Sequence, residues 1–155
     1  MDMLRSEGRI VCALGPADFG GIDRVGERLR RLASSGRSSR LGLRVDPASR
    51  RWSYRPESVC DHVTEAAPIG RADVVGQLEQ LSASVSTDVP IRVVLAGEYL
   101  LLDLSHGFSD AVLPIELFAF LADPVAVPDL PSWAKARTLR NPLPRALAGL
   151  SLIHI

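Results

Sequence analysis

The residues with the clearest capacity for chemistry are His106 and Asp110, which lie four positions apart at the end of an apolar stretch. An imidazole with an unperturbed pKa of ~6.5 can take up a proton at neutral pH. Such a general base must lie within hydrogen-bond reach of the hydroxyl, amine or thiol that it activates. Gly107 would allow backbone or substrate to approach closely, and Ser109 or Asp110 suits the N-cap of the following helix. The pattern therefore predicts His106 as a base and Asp110 as a residue that fixes the loop.

Three other roles are compatible with His106. The simplest is a hydrogen-bonded histidine at the end of a strand, because short motifs such as HxxxD often match by chance. A metal site would need a third ligand, and His62 and Asp103 lack the spacing of such a set, so we expect no metal. A hydrolase that uses Ser105 as nucleophile is disfavoured, because adjacent residues of a strand point to opposite faces.

The composition is that of one ordinary globular domain, with 155 residues of which 46% are hydrophobic and 23% are charged. Eighteen basic and eighteen acidic residues cancel, which gives no electrostatic reason to expect a nucleic-acid partner. The arginines concentrated between Arg24 and Arg40 mostly follow helical spacing and predict a solvated helix face. Cys12 and Cys60 stand apart, without the spacing of metal ligands, which is typical of small buried hydrophobes.

The N-terminal residues carry charges and no long apolar run, so we expect no signal peptide there. No uninterrupted apolar stretch is long enough to span a bilayer. We therefore expect a cytoplasmic protein without a membrane span.

Hydrophobic periodicity predicts strands that alternate with helices. Strands are expected at 9–14, 40–45, 51–54, 59–64, 91–96 and 99–104, and helices at 22–33, 72–84 and 110–121. The clearest hairpin joins the last two strands at Gly97-Glu98, and the apolar character of both strands predicts cover on both faces. The helix at 72–84 is expected to be amphipathic, with Val75, Leu78 and Leu81 on its apolar face. This order predicts an α/β (α+β) fold, a mixed β-sheet with helices packed on it.

The character of the sequence changes at Asp123, where prolines begin to recur. Proline fixes φ and removes a hydrogen-bond donor, so residues 123–149 are predicted to form a Pro-rich linker with at most short helices near Ala134 and Ala146. The last six residues, LSLIHI (150–155), match the translation of one frame of a widely used transposase sequencing adapter. We expect them to be a sequencing-adapter artefact, the alternative being an ordinary apolar C-terminus, and His154 is a poor functional candidate in either case.

The stretch from Pro90 to Asp123, PIRVVLAGEYLLLDLSHGFSDAVLPIELFAFLAD, resembles the central part of the condensation-domain and chloramphenicol-acetyltransferase-like acyltransferase superfamily. The hallmark of that superfamily is HHxxxDG, or HxxxD in its looser form, between a core strand and a helix. His106 matches the catalytic histidine, and Asp110 matches a mainly structural aspartate that pairs with an arginine. The segment SRLGLRVDPASRRWSY (39–54) is similar to the early LRxRxxxD region, which puts Arg40 at that arginine. A small register change would put a neighbouring arginine there instead.

Two positions depart from the HHxxxDG pattern, since Ser105 replaces the first histidine and Ala111 replaces the glycine, whose conformational freedom shapes the loop. Members of the superfamily have two lobes with the active-site tunnel between them, and the second lobe carries a DFGWG-type motif. The 155 residues contain no such motif. The resemblance therefore implies an N-terminal lobe at 1–122, followed by the crossover linker at 123–149.

The function implied by the resemblance is acyl transfer from a CoA or carrier-protein thioester to a hydroxyl or amine, as in nonribosomal peptide synthesis, with His106 as general base. Asp110 and Arg40 would form a buried ion pair that fixes the loop. The implied partners are a small-molecule acceptor, an acyl or peptidyl carrier protein and the missing C-terminal lobe. The donor is acyl-CoA or a phosphopantetheine-linked acyl group, and no cofactor is permanently bound. The fragment alone is expected to be inactive.

Two alternatives to a catalytic lobe follow from the same residues. Ser105 and Ala111 favour a non-catalytic, condensation-like module that binds a carrier protein or another partner. The other alternative is an unrelated α/β domain in which His106 is structural, and it predicts a histidine buried in a closed core.

Overall fold

A mixed β-sheet forms the centre of the protein in the computed structural model, which describes residues 8–46, 51–84, 89–106 and 112–122 together with Leu130, Pro131 and Ala134. Within these residues the main sheet has four strands in the order β1-β6-β5-β4. Their bounds are β1 Arg9–Leu14, β4 Val63–Glu65, β5 Ile91–Ala96 and β6 Tyr99–Ser105. Strand β6 is antiparallel to both of its neighbours, and β4 runs parallel to β5. The prediction of a mixed sheet is confirmed.

The hydrophobic core lies on one face of this sheet, here called the core face. Alternate residues of β6 lie on it, namely Leu100, Leu102 and Leu104, and all three are buried. Helices α1 (Ile22–Ser34) and α3 (Val112–Ala122) contribute buried side chains to the same core. The alternate leucines of β6 thus provide one apolar face, against which both α1 and α3 pack.

The opposite face of the sheet is covered by helix α2 (Val74–Ala83), which buries none of its residues. Val75 is 65% exposed, so its assignment to the apolar face of this helix was wrong. Leu78 and Leu81 are half-buried. Strand β6 is nevertheless buried from Tyr99 to Leu104, as expected for a strand that is covered on both sides.

The hairpin of β5 and β6 is confirmed, and the residues of its turn explain why the sequence predicts it. Ala96 pairs directly with Tyr99, which leaves Gly97 and Glu98 as a two-residue turn. Gly97 has φ +67°, a left-handed conformation that glycine adopts without the strain of a side chain. This turn, at the predicted junction Gly97-Glu98, fixes the register of β5 against β6.

A second, two-stranded sheet pairs β2 (Leu43–Asp46) with β3 (Arg51–Tyr54). The first strand begins three residues later than predicted, because Arg40 has φ +62° and a turn precedes Leu43. The Tyr54 hydroxyl donates a hydrogen bond of 2.6 Å to the carbonyl of Ala33. The hairpin is therefore anchored to the C-terminal end of α1.

The strand predicted at 59–64 was mostly wrong. Residues Pro56–His62 form a 3-10 helix, and only the short strand β4 follows it. Proline at the first helical position suits such a start, since its missing N–H is not needed there. The helix at 110–121 is confirmed from Val112, while residues 107–111 lie outside the described part of the chain.

The arginine-rich segment is not uniformly solvated. Arg24, Arg30 and Arg31 are exposed, but Arg28 is 7% exposed, so the prediction of a solvated face was wrong for it. Its Nη1 donates hydrogen bonds to the carbonyls of Phe120 (2.9 Å) and Leu121 (3.4 Å). A cation at this place satisfies carbonyls that the end of a helix leaves unpaired, and it joins α1 to α3.

Only a few residues of the predicted linker at 123–149 are described. Leu130 packs against the core, Ala134 is buried, and the N–H of Ala134 donates to the carbonyl of Pro131 (3.0 Å). The rest of 123–149 and the segment 150–155 lie outside the described residues. Among the helices that are described, none has the length and apolar character needed to cross a membrane.

Candidate functional site

His106 follows directly on the last residue of the central strand, and its main chain is held from both sides. The N–H of Ser105 donates to the carbonyl of Pro90 (3.0 Å), beside β5. The N–H of His106 donates to the carbonyl of Gly8 (2.9 Å), beside β1. Because consecutive amides bond to opposite neighbours, the sheet fixes the backbone at the point from which the imidazole extends.

The imidazole itself is exposed. It lies beside Gly8, where a methyl group in place of the glycine hydrogen would come within 3.4 Å of the His106 Cβ. No described residue forms a hydrogen bond or an ion pair with the ring. This is not the buried histidine of a closed core that the structural interpretation predicts.

Ser105 is half-buried and pairs in register with Arg9. Alternation along the strand gives it the face opposite to that of His106, so a nucleophile–base pair between the two remains disfavoured. Gly107 and Asp110, like Ala111, lie outside the described residues, and so does any pairing of Asp110 with an arginine.

The two arginines nearest to the expected pairing position differ in their surroundings. Arg40 is exposed and precedes β2. Arg44, within β2, is half-buried and donates from Nε to the Ser58 hydroxyl (2.8 Å) and from Nη2 to the Ser58 carbonyl. Its Nη1 is buried and has no hydrogen-bond partner among the described residues. Burial lowers the pKa of Arg44, an effect that nearby Asp61 opposes.

Asp103, which the sequence analysis considered only as a metal ligand and rejected, is the most completely buried charged residue described, at 0% exposure. Arg9 of β1 bonds to one carboxylate oxygen through Nε, and Arg92 of β5 bonds to the other through Nε (2.6 Å) and Nη2. We call these three residues the Asp103 network. An aspartate in an otherwise apolar strand, with an arginine on each neighbouring strand, is the signal that could have revealed it.

The Asp103 network extends beyond the sheet. Arg9 donates from Nη1 to the carbonyl of Val89 (3.3 Å). Arg92 donates from Nη2 to the carbonyl of Leu81 (2.7 Å) and from Nη1 to the Ser84 hydroxyl (3.0 Å). These bonds join the C-terminal end of α2, which buries none of its residues completely, to the sheet.

The remaining titratable candidates are poorly suited to chemistry. Cys12 is half-buried, and burial followed by the negative charge of Asp103 raises the pKa of its thiol, which disfavours the reactive thiolate. Cys60 donates from Sγ to the carbonyl of Gly26 (3.3 Å). Burial, then Arg44, then Arg92 lower the pKa of His62, while Asp61 raises it. Within the described residues, no group of three metal-binding side chains is close enough to hold an ion.

A cavity of about 300 Å³ lies between α2 and the sheet, and it is separate from His106. Its walls come from both elements and consist of Gln77, Gln80, Leu81, Ser84, Val94 and Leu101. Leu101 belongs to the face opposite to the core face, whereas His106 lies at the far end of β6.

The chemistry available at His106 is proton transfer, since an exposed imidazole on a fixed backbone can accept a proton from a bound acceptor. No model of a protein family, no curated protein and no solved structure matches this chain. The function of the site must therefore be inferred from its residues and from the resemblance of its motif.

Proposed function

We propose that this chain is the histidine-bearing lobe of an acyltransferase of the chloramphenicol-acetyltransferase-like type, with His106 as its general base. The observation that carries the proposal is the contrast within one residue: an anchored main chain and an exposed imidazole. A general base needs both properties, because it must be fixed in position and still open to its substrate.

In the proposed reaction, neutral His106 removes a proton from the hydroxyl or amine of the acceptor while the oxygen or nitrogen of that group attacks the thioester carbonyl. The tetrahedral intermediate then collapses, the C–S bond breaks and the new ester or amide forms. The leaving thiolate, of CoA or of a carrier-bound phosphopantetheine, takes the proton back from the imidazolium. His106 thus returns to its neutral form, and no external acid, oxidant or metal is consumed. These donors belong to the cytoplasm, which is the compartment that we propose.

Asp110 is proposed to hold the loop after His106 through an arginine. Arg40 is the residue that the motif alignment indicates, but Arg44 is the better supported partner, because its Nη1 is buried and lacks an acceptor among the described residues. Removal of the carboxylate would leave the half-buried guanidinium of Arg44 without its charged partner, which destabilises the fold. We therefore expect Asp110→Ala to lower the stability together with the activity.

A second lobe is proposed to complete the tunnel over His106 and to bind the donor. Proximity supplies much of the rate of such a bimolecular reaction. The 155-residue chain alone is therefore expected to have little or no turnover.

The test uses the protein encoded by the complete genomic locus, assayed for thiol release from acyl-CoA and from acyl-carrier thioesters. His106→Ala should lower the turnover by ~10²–10⁴-fold, the usual contribution of a general base. His62→Ala is the matched control, because it removes a half-buried histidine that directly precedes β4, and it should retain the activity of its folded fraction. Wild-type turnover in His106→Ala would remove the proposed mechanism.

The same assay separates the catalytic proposal from a binding module. A wild-type protein that retains a carrier protein but releases no thiol from any donor would favour the non-catalytic alternative. The feature that supports this alternative is Ser105, which stands where the motif has its first histidine. Downstream genomic sequence that encodes a DFGWG-like segment would favour the two-lobe enzyme.

A further inference from the structure

We infer that the Asp103 network positions His106, by fixing the two carbonyl groups to which the end of β6 is hydrogen-bonded. The purpose of this positioning rests on the proposed function, whereas the geometry does not depend on it. Each of three adjacent strands supplies one member of the network: Arg9 from β1, Asp103 from β6 and Arg92 from β5.

The carbonyls of Gly8 and Pro90, which accept from the end of β6, both lie next to residues that the Asp103 network contacts. Gly8, which accepts from the N–H of His106, directly precedes Arg9. Pro90, which accepts from the N–H of Ser105, directly follows Val89, and the carbonyl of Val89 is held by Arg9. One guanidinium group therefore constrains the chain beside both acceptors.

The carboxylate of Asp103 holds that guanidinium in place. Arg9 bonds to one oxygen while Arg92, directly opposite Asp103 in register, bonds to the other. Two arginines on opposite sides leave the carboxylate one stable orientation, and Arg9 in turn has one stable position.

Stability alone does not account for an ionic network at this place. Buried ion pairs are often no more stabilising than apolar side chains of similar volume, because desolvation offsets their attraction. Leu101, which alternation places on the same face of β6 as Asp103, is 2% exposed, so an apolar residue would suit position 103. The ionic network adds a fixed arrangement of three strands, and it does so three residues before His106.

The experiment measures amide hydrogen exchange by NMR on the 155-residue chain and on Asp103→Asn, which keeps the shape of the side chain and removes its charge. Exchange at Ser105 and His106 should accelerate by about tenfold or more relative to Leu100 and Leu102 in the same strand. Tyr54→Phe is the matched control, because it removes the bond to Ala33 and leaves β6 untouched. It should accelerate these four amides equally.

A uniform acceleration along β6 in Asp103→Asn, proportional to the lost stability, would overturn the inference and leave the network a purely structural role. If Asp103→Asn does not fold, Arg9→Lys serves instead, since lysine keeps the charge but cannot bond to Asp103 and Val89 at once. It should show the same selectivity for Ser105 and His106, and equal acceleration along the strand would again contradict positioning.

In the complete protein the positioning role predicts that Asp103→Asn lowers kcat with KM little changed, measured at a temperature where the variant is folded. A structural role would lower only the folded fraction, and so leave kcat per folded molecule unaltered. Because hydrogen exchange needs no substrate, selective exchange without any turnover would reject the proposed function alone, and uniform exchange would reject positioning alone.

Discussion

Asp103 and His106 lie three residues apart at one end of the central strand, and their surroundings are opposite. Asp103 is completely buried and its carboxylate bonds to two guanidinium groups. His106 is exposed, and its imidazole has no partner among the described residues. A buried charge persists only when it is paired, whereas a group that transfers protons must remain accessible to substrate. The difference assigns Asp103 to the architecture and leaves His106 available for chemistry.

The largest effect on stability should come from the buried side of this comparison. Asp103→Ala leaves two arginines without their shared carboxylate, and we expect a loss of about 3–5 kcal/mol in the free energy of unfolding. His106→Ala, at an exposed position, should stay within about 0.5 kcal/mol of wild type. Urea unfolding of both variants measures these changes, and equal losses would break the contrast between the two residues.

A smaller effect should separate the two arginines considered as partners of Asp110. Arg44→Ala removes the hydrogen bonds to Ser58 and should cost about 1–3 kcal/mol of unfolding free energy. Arg40→Ala, at an exposed position, should cost less. The same unfolding assay compares them, and a larger loss for Arg40→Ala would return Arg40 to the proposed ion pair.

The smallest effect concerns His62, the half-buried histidine, and it depends on pH. Its pKa is lowered in the folded state, so the unfolded state binds more protons as the pH falls below the ordinary value of ~6.5. The contribution of neutral His62 to stability is therefore complete above that pH and is lost as the pH falls through it. Wild type should lose more stability than His62→Gln between about pH 7.5 and pH 5.5. If the unfolding free energies of wild type and His62→Gln change in parallel with pH, the burial of His62 does not make stability depend on pH.

Local sequence signals predicted the elements whose hydrogen bonds are set by near neighbours. The hairpin of β5 and β6 followed from two apolar runs and Gly97, and β1, β3 and α1 followed from periodicity. His106 was found in the same way, because a titratable residue stands out at the end of an apolar strand.

Tertiary contacts decided what the sequence pattern could not predict. Arg28 has the same helical spacing as its exposed neighbours, and only the arrival of the C-terminal end of α3 makes its burial favourable. Asp103 is paired by residues 94 positions before it and 11 positions before it, a combination that no local window contains. Val75 fits a helical apolar face, but α2 leaves it exposed, and Leu78 and Leu81 are only half-buried.

The measurement that tests the central claim most directly is thioester turnover and unfolding free energy, determined together on His106→Ala and Asp103→Ala in the protein from the complete locus. We predict that His106→Ala loses ~10²–10⁴-fold in turnover at wild-type stability, the loss expected of a missing general base. Asp103→Ala should lose stability first, and its folded fraction should keep a larger share of activity than His106→Ala does. Full turnover in stable His106→Ala protein would contradict the account.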